Sequence, residues 1–121
     1  MSAIEELKDL ALGIPALERQ IAGISKGADD LRQSLKDKEA LAVLNPTPLD
    51  GKNEAERKAQ LALRLSADAQ YQDCLKTIDE AEKMLLDKRQ RLSEATHLWR
   101  VLDLQVQLQI ADKQIMAGAK A

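Results

Sequence analysis

The sequence has little of what the core of a compact globular protein usually contains. It has no phenylalanine, one tyrosine (Tyr71) and one tryptophan (Trp99). Charged residues make up 31% of the chain, and its apolar residues are mostly Leu, Ile and Ala. This mixture is typical of long helices and coiled coils. Because 121 residues are enough for one domain, we expect a single helical domain with an elongated core.

Cysteine, a signal peptide and a long apolar run are also scarce or missing. Cys74 is the only cysteine, which excludes an intramolecular disulfide and a secreted fold held by disulfides. The start, Met-Ser-Ala-Ile-Glu-Glu, lacks the basic and apolar regions of a signal peptide. Nowhere do about 18 apolar residues follow one another, as a membrane span would need. We therefore expect a cytoplasmic protein that has no contact with membranes.

Charge of one sign is not concentrated anywhere. The 18 basic and 20 acidic side chains give a net charge of −2. Residues 1–45 have 6 basic and 8 acidic groups, residues 46–68 have 4 and 4, and residues 69–121 have 8 and 8. No segment is basic enough to predict nucleic-acid binding from charge alone.

What the sequence does contain is a heptad repeat between residues 3 and 45. One row of apolar residues falls at every seventh position: Leu7, Ile14, Ile21, Ala28, Leu35 and Ala42. A second row lies three positions later: Leu10, Leu17, Ile24 and Leu31, with Lys38 at its end. These are the a and d positions of a coiled-coil helix.

Pro15 interrupts this segment, with Gly13 close by. Proline removes a backbone donor and disfavours helical angles in the preceding residue. The heptad phase nevertheless continues from Leu7 through Ile14 to Ile21. Two alternatives are open: a kink in one helix, or a break that leaves residues 3–12 as a separate arm.

A loop and a short helix follow. Asn45-Pro46-Thr47-Pro48 ends the first helix, and the loop covers residues 46–52. Asn53 and Glu56 have the spacing of a capping box, which predicts a helix over residues 53–65. Ser66-Ala67-Asp68 then indicates a turn in which Asp68 or Ser66 caps the next helix.

The third segment, about residues 69–115, repeats the heptad pattern. One row is Tyr71, Ile78, Leu85, Leu92, Trp99 and Val106, and the other is Cys74, Ala81, Lys88, Ala95 and Leu102, followed by Gln109. Four more apolar residues are expected to widen this stripe: Leu75, Met84, Leu98 and Ile110. Residues 116–121 are predicted to fray. The fold class is therefore all-α, an antiparallel helical hairpin with a short intervening helix. Because two helices make a thin core, we expect it to assemble into an oligomeric bundle.

No residue pattern indicates catalysis. His97 is the only histidine, and the five glycines lie at positions 13, 23, 27, 51 and 118, so no phosphate-binding glycine loop is present. The usual spacings of metal ligands are missing, and no nucleophile can be matched with a base and an orienting group. We expect a protein that is not an enzyme and has no catalytic residue, metal ligand or cofactor.

Trp99 is the most informative single residue. It is either a core residue of a wide bundle or an anchor in an interface with a partner, because tryptophan and arginine dominate binding hot spots. The candidate partner-binding residues are Trp99 and its basic neighbours Lys88, Arg89, Arg91 and Arg100.

Residues 50–104 resemble small, largely uncharacterised coiled-coil proteins encoded by phages and prophages. The most specific shared element is Gly51-Lys52-Asn53-x-x-x-Arg57, which leads into the short helix and then to Tyr71 and a long charged heptad helix. The resemblance implies a viral accessory protein, which would act in the host cytoplasm, and it implies no particular activity.

Two functional hypotheses follow. The first is a non-enzymatic, homo-oligomeric interaction protein that acts as an accessory or inhibitory factor by binding a partner protein. The alternative is a nucleic-acid-associated accessory factor in phage replication or recombination, which would need basic residues clustered in space. Its candidates are Lys83, Lys88, Arg89, Arg91 and Arg100, with Lys52, Arg57, Lys58 and Arg64 in the second segment.

Overall fold

The structure is a computed structural model that describes residues 2–120, with side chains to residue 118. It has three helices: α1 (Ala3–Leu44), α2 (Glu54–Ser66) and α3 (Ala69–Lys120). No strand occurs within residues 2–120. The prediction of an all-α fold in which two long helices pack against each other is confirmed.

The chain divides into two compact units. The loop unit is Gly23–Leu85 and contains the end of α1, the loop, α2 and the start of α3. The terminal unit is Met1–Ala22 together with Leu86–Ala121, and it pairs the start of α1 with the rest of α3.

The heptad rows are the packing faces in both units. All eleven positions of the two α1 rows are half-buried or buried. The same holds for the α3 rows, except that Trp99 is 38% exposed and Gln109 is exposed. In the loop unit, Leu35, Tyr71 and Ile78 form a cluster against which Leu65 of α2 packs.

Cross-helix hydrogen bonds link α1 to α3 in both units and give the direction of pairing in the loop unit. In the loop unit, Arg32 donates to Glu82 at 2.8 Å and Tyr71 donates to Glu39 at 2.8 Å. In the terminal unit, the Lys88 ammonium donates to Gln20 at 3.0 Å. Since higher residue numbers in α1 meet lower numbers in α3, the paired segments of the loop unit are antiparallel.

Of the two alternatives at Pro15, a kink or a break, the structure does not contain the break, because α1 is helical from Ala3 to Leu44. An interior proline costs about 3 kcal/mol through its missing hydrogen bond and its steric clash. The half-buried Ile14 and Leu17 lie on either side of it, so the packing of the seam holds both sides of Pro15 in one helix.

Two further expectations for α3 differ from the structure. The helix continues to Lys120, beyond the predicted end near residue 115, because Ala117 and Ala119 favour helix and one glycine between them costs only about 1 kcal/mol. The four residues expected to widen the stripe are 41–50% exposed: Leu75, Met84, Leu98 and Ile110. At Leu75, Met84 and Leu98, a single facing helix covers the a and d rows and little beside them.

The predicted cap of α2 is confirmed. Asn53 Oδ1 accepts from the Glu56 N–H at 2.9 Å, and the Glu56 carboxylate accepts from the Lys52 N–H at 2.7 Å. This is a capping box shifted by one residue at its second bond.

Gly51 lets the loop approach α2 closely. A Cβ at this position would lie 2.7 Å from the backbone nitrogen of Arg57, nearer than carbon atoms normally come. Arg57 donates to the Gly51 carbonyl at 3.1 Å, and Gln60 accepts from the Gly51 N–H at 2.9 Å. The Gly51-Lys52-Asn53-x-x-x-Arg57 element therefore builds the turn into α2.

Arg64 of α2 satisfies the C-terminal end of α1. Its guanidinium donates to the carbonyls of Ala42 at 2.7 Å, Asn45 at 3.1 Å and Thr47 at 2.6 Å. The last turn of α1 has no basic residue of its own, and the carbonyls of a helix end need donors and favour a positive charge.

Asp68 caps α3; the sequence predicted either Asp68 or Ser66 in this role. Its Oδ1 accepts from the Tyr71 N–H at 3.2 Å, and its Oδ2 lies 3.5 Å from the Lys38 ammonium. The hydrogen bond from Tyr71, followed by the attraction of Lys38, lowers the pKa of Asp68. The hydrogen bond to Glu39 raises the pKa of the Tyr71 hydroxyl.

Arg64→Met should destabilise the protein by about 2–3 kcal/mol, because three backbone carbonyls lose a charged donor. Arg64→Lys should lose less stability, since lysine keeps the positive charge but lacks the planar guanidinium group with its several N–H donors. Lys58→Met is the control, because its pair with Glu54 is 76% and 78% exposed and worth less than about 1 kcal/mol. Urea unfolding measures all three, and equal losses for Arg64→Met and Lys58→Met would contradict the role of Arg64.

The lowered pKa of Asp68 predicts a pH dependence. The contribution of its carboxylate to the free energy of unfolding should be complete above the unfolded pKa of about 4. It should disappear as the pH falls through the lower folded pKa. Asp68→Asn keeps a capping side chain and removes the titration. Urea unfolding between about pH 2 and 7 should therefore give a stability gap between the two proteins that is constant near neutrality and closes in acid.

Candidate partner-binding surface

Trp99 lies at the edge of the seam in the terminal unit. It occupies an a position of α3, yet its side chain is 38% exposed, whereas the buried a residues Ile78 and Leu85 are 8% and 5% exposed. The indole is therefore neither a fully buried core residue nor a free surface residue. Both alternatives for Trp99, a core residue and an interface anchor, therefore stay open.

An open depression adjoins the indole and is mostly apolar. We call it the Trp99 depression, and its lining residues are Ala11, Ile14, Pro15, Glu18, Thr96 and Trp99. Ala11, Glu18 and Thr96 all occupy e positions of their helices, so the depression lies along one flank of the seam.

Pro15 removes one backbone hydrogen bond of α1 at this depression. Residue 15 in a regular helix would donate its N–H to the carbonyl of residue 11, and proline has no N–H. The carbonyl of Ala11 thus has no donor four residues ahead.

A basic strip on α3 borders the depression. Arg89, Ser93, His97 and Arg100 follow at helical spacing and line a second shallow depression with Leu92 and Thr96. Thr96 belongs to both depressions, so the two surfaces are continuous. Within residues 2–118, neither Arg89 nor Arg100 makes an ion pair. Their charges are therefore free to meet a carboxylate.

The structure separates the five candidate residues into two groups. Trp99, Arg89 and Arg100 lie on the continuous surface described above. Lys88 is half-buried at a d position and donates to Gln20, and Arg91 is paired with Asp87 at 3.1 Å. Gln20 and Arg91 both occupy g positions, so Lys88 and Arg91 belong to the opposite flank of the seam.

Most basic candidates for nucleic-acid binding already have partners inside the chain. Lys83 lies 3.0 Å from Asp79, and Lys58 lies 3.2 Å from Glu54. Arg57 and Arg64 donate to backbone carbonyls. A phosphate would have to compete with these contacts.

The sequence analysis missed Ala11, Ile14, Pro15, Glu18 and Thr96. The register of the two heptad helices would have indicated them. An antiparallel pairing that sets Gln20 near Lys88 also brings residues 11–18 near residues 96–99. Local sequence rules identify Pro15 only as a defect in the helix. No group of three or more metal-ligating side chains occurs within the described residues, and no helix there has the length and apolarity to cross a membrane.

Comparisons of the chain with protein-family models, with curated proteins and with solved structures found no match.

Proposed function

We propose that this chain is a non-enzymatic coiled-coil interaction protein, an accessory or inhibitory factor that binds a partner protein and works as a homo-oligomer. The observation that carries the proposal is the half-exposed Trp99 indole beside an apolar depression. Tryptophan and arginine are the residues most enriched in binding hot spots, and Arg89 and Arg100 lie on the same surface.

The chemistry of the surface suggests what the partner presents. The depression accepts an apolar side chain, and the basic strip favours a carboxylate. A segment with an apolar anchor flanked by Asp or Glu fits these features. The single acidic residue of the depression, Glu18, lies on the α1 side, so the anchor would have its acidic flank toward α3.

A phage origin is part of the proposal, and it rests on the resemblance of residues 50–104. In this chain, the Gly51-Lys52-Asn53-x-x-x-Arg57 element has a folding role, because Gly51 and Arg57 contact each other in the turn before α2. The surface around Trp99 would then be where this chain binds its partner. Action in the host cytoplasm follows from that origin.

The test is a pull-down from bacterial lysate, with and without nuclease, in which wild type is compared with three variants by quantitative mass spectrometry. A protein that survives nuclease and is lost with Trp99→Ala and with Arg89→Glu supports the proposal. Arg91→Glu is the matched control, because it makes the same charge change on the opposite flank. If no protein is captured, or if Arg91→Glu loses it equally, the proposal fails.

Trp99→Ala should reduce partner binding at least about tenfold, as truncation of a hot-spot residue does. It should cost about 1–2 kcal/mol of stability, less than the 3–5 kcal/mol of a fully buried tryptophan, because the side chain is 38% exposed. Urea unfolding and a binding titration separate the two effects. A loss of 4 kcal/mol or so with unchanged binding would assign Trp99 to the core alone.

A separate binding measurement tests the alternative that the protein associates with nucleic acid. We expect no sub-micromolar binding to labelled DNA or RNA in fluorescence anisotropy at physiological salt. Replacing Lys88, Arg89 and Arg91 together by Glu should therefore leave the anisotropy of the labelled nucleic acid unchanged. Binding that falls steeply with salt and that the triple variant loses would favour the alternative over the proposed function.

A further inference from the structure

The C-terminal part of α3 has a second apolar stripe on the side opposite its seam. Counting a and d as the positions that face α1, the c and f positions point the other way, about 200° around the helix. From residue 101 onward these positions are Val101, Leu104, Leu108, Ala111 and Ile115. Their spacing alternates between three and four residues, which is the spacing of a coiled-coil seam. We call this set the outer seam.

The c and f positions of α3 change from polar to apolar residues at residue 101, where the outer seam begins. At the preceding c positions the residues are Asp73, Glu80, Asp87 and Glu94. The preceding f positions hold Lys76, Lys83, Gln90 and His97. Both rows are thus polar or charged for four heptads and become apolar together at residue 101. One helix with a single partner needs no such change.

The outer seam is uncovered. Val101, Leu104, Leu108 and Ile115 are 37%, 58%, 64% and 69% exposed, and Ala111 is exposed as well. Exposed apolar rows of this length mark interaction sites.

The heptad spacing of the outer seam and the charges beside it indicate what kind of helix binds there. An a/d seam accepts another helix with the same repeat. The positions that flank the outer seam are Leu98, Arg100, Gln105, Gln107, Asp112 and Gln114. With one Arg and one Asp among them, two identical surfaces meet without a row of like charges.

We infer that the outer seam of α3 binds the outer seam of a second copy of this chain. This inference rests on the homo-oligomer of the proposed function. It identifies the outer seam as the surface through which two copies associate. Residues 101–118 are about 27 Å of helix, which is short for a coiled coil, so the association is weak and depends on protein concentration.

The test compares two double variants by sedimentation equilibrium at protein concentrations up to about 100 µM. Leu104→Glu with Leu108→Glu places charges in the outer seam. Leu12→Glu with Leu86→Glu is the matched control, because these leucines are 77% and 71% exposed in the same unit and lie outside the outer seam. Circular dichroism checks that both variants stay helical.

Wild type and the control should reach at least twice the 13.4 kDa of one chain, whereas the outer-seam variant should stay at one chain. A dimer dissociation constant raised at least about a hundredfold is the expected effect of the buried charges. A wild type that stays monomeric overturns the inference, as does a control that dissociates equally. An outer-seam variant that keeps the wild-type mass overturns this surface while the proposed homo-oligomer stands.

A further double variant tests the positions beside the outer seam without changing the seam itself. Gln107→Glu with Gln114→Glu adds acid beside Asp112 and opposite its own copy, so the dimer should weaken about tenfold at low salt and recover near 1 M salt. An unchanged dimer at low salt would contradict the inference. Partner capture through Trp99 should persist in this variant, which separates the failure of this surface from the failure of the proposed function.

Discussion

The contact between the heptad rows of α1 and α3 is the interaction on which the rest of the structure depends. Its core is thin: the buried apolar residues within the described chain are Ala28, Leu35, Tyr71, Ile78, Leu85 and Leu102. Two helices alone cover a narrow strip of each other, so most seam residues stay half-buried. Stability therefore depends strongly on how the helix ends are held.

The connection between the long helices supplies this end support. Arg64 gives the end of α1 three hydrogen bonds, and Asp68 gives the start of α3 a capping carboxylate that Lys38 also contacts. The half-buried Lys38, which ends the second heptad row of α1, thus has a partner at the start of α3. The same turn explains why glycine stands at position 51, where no side chain fits.

How far the sequence predicts these features depends on the range of the interaction. The heptad rows and the Asn53 cap follow from local spacing, so periodicity and capping rules found them. Arg64 could not be assigned, because its acceptors are backbone carbonyls seventeen or more residues away, and backbone carbonyls leave no trace in the sequence. Leu98 and Ile110 were assigned to the inner stripe because nothing local says how much of α3 one partner helix covers.

The candidate surface was predicted in part for the same reason. Trp99, Arg89 and Arg100 stood out by residue type, and they lie together. Lys88 and Arg91 are as close in sequence but belong to the other flank, which only the pairing of the helices decides. Pro15 shows how a residue that weakens a helix also leaves a carbonyl without its usual donor next to an indole.

The two rare aromatic residues are divided between the two units. Trp99 lies in the terminal unit, and Tyr71 lies in the core cluster of the loop unit. Because tryptophan occurs once, indole emission reports on the terminal unit alone. Comparing its change on heating with the loss of helical circular dichroism, to which both units contribute, shows whether the two units melt together or in turn, with no label attached.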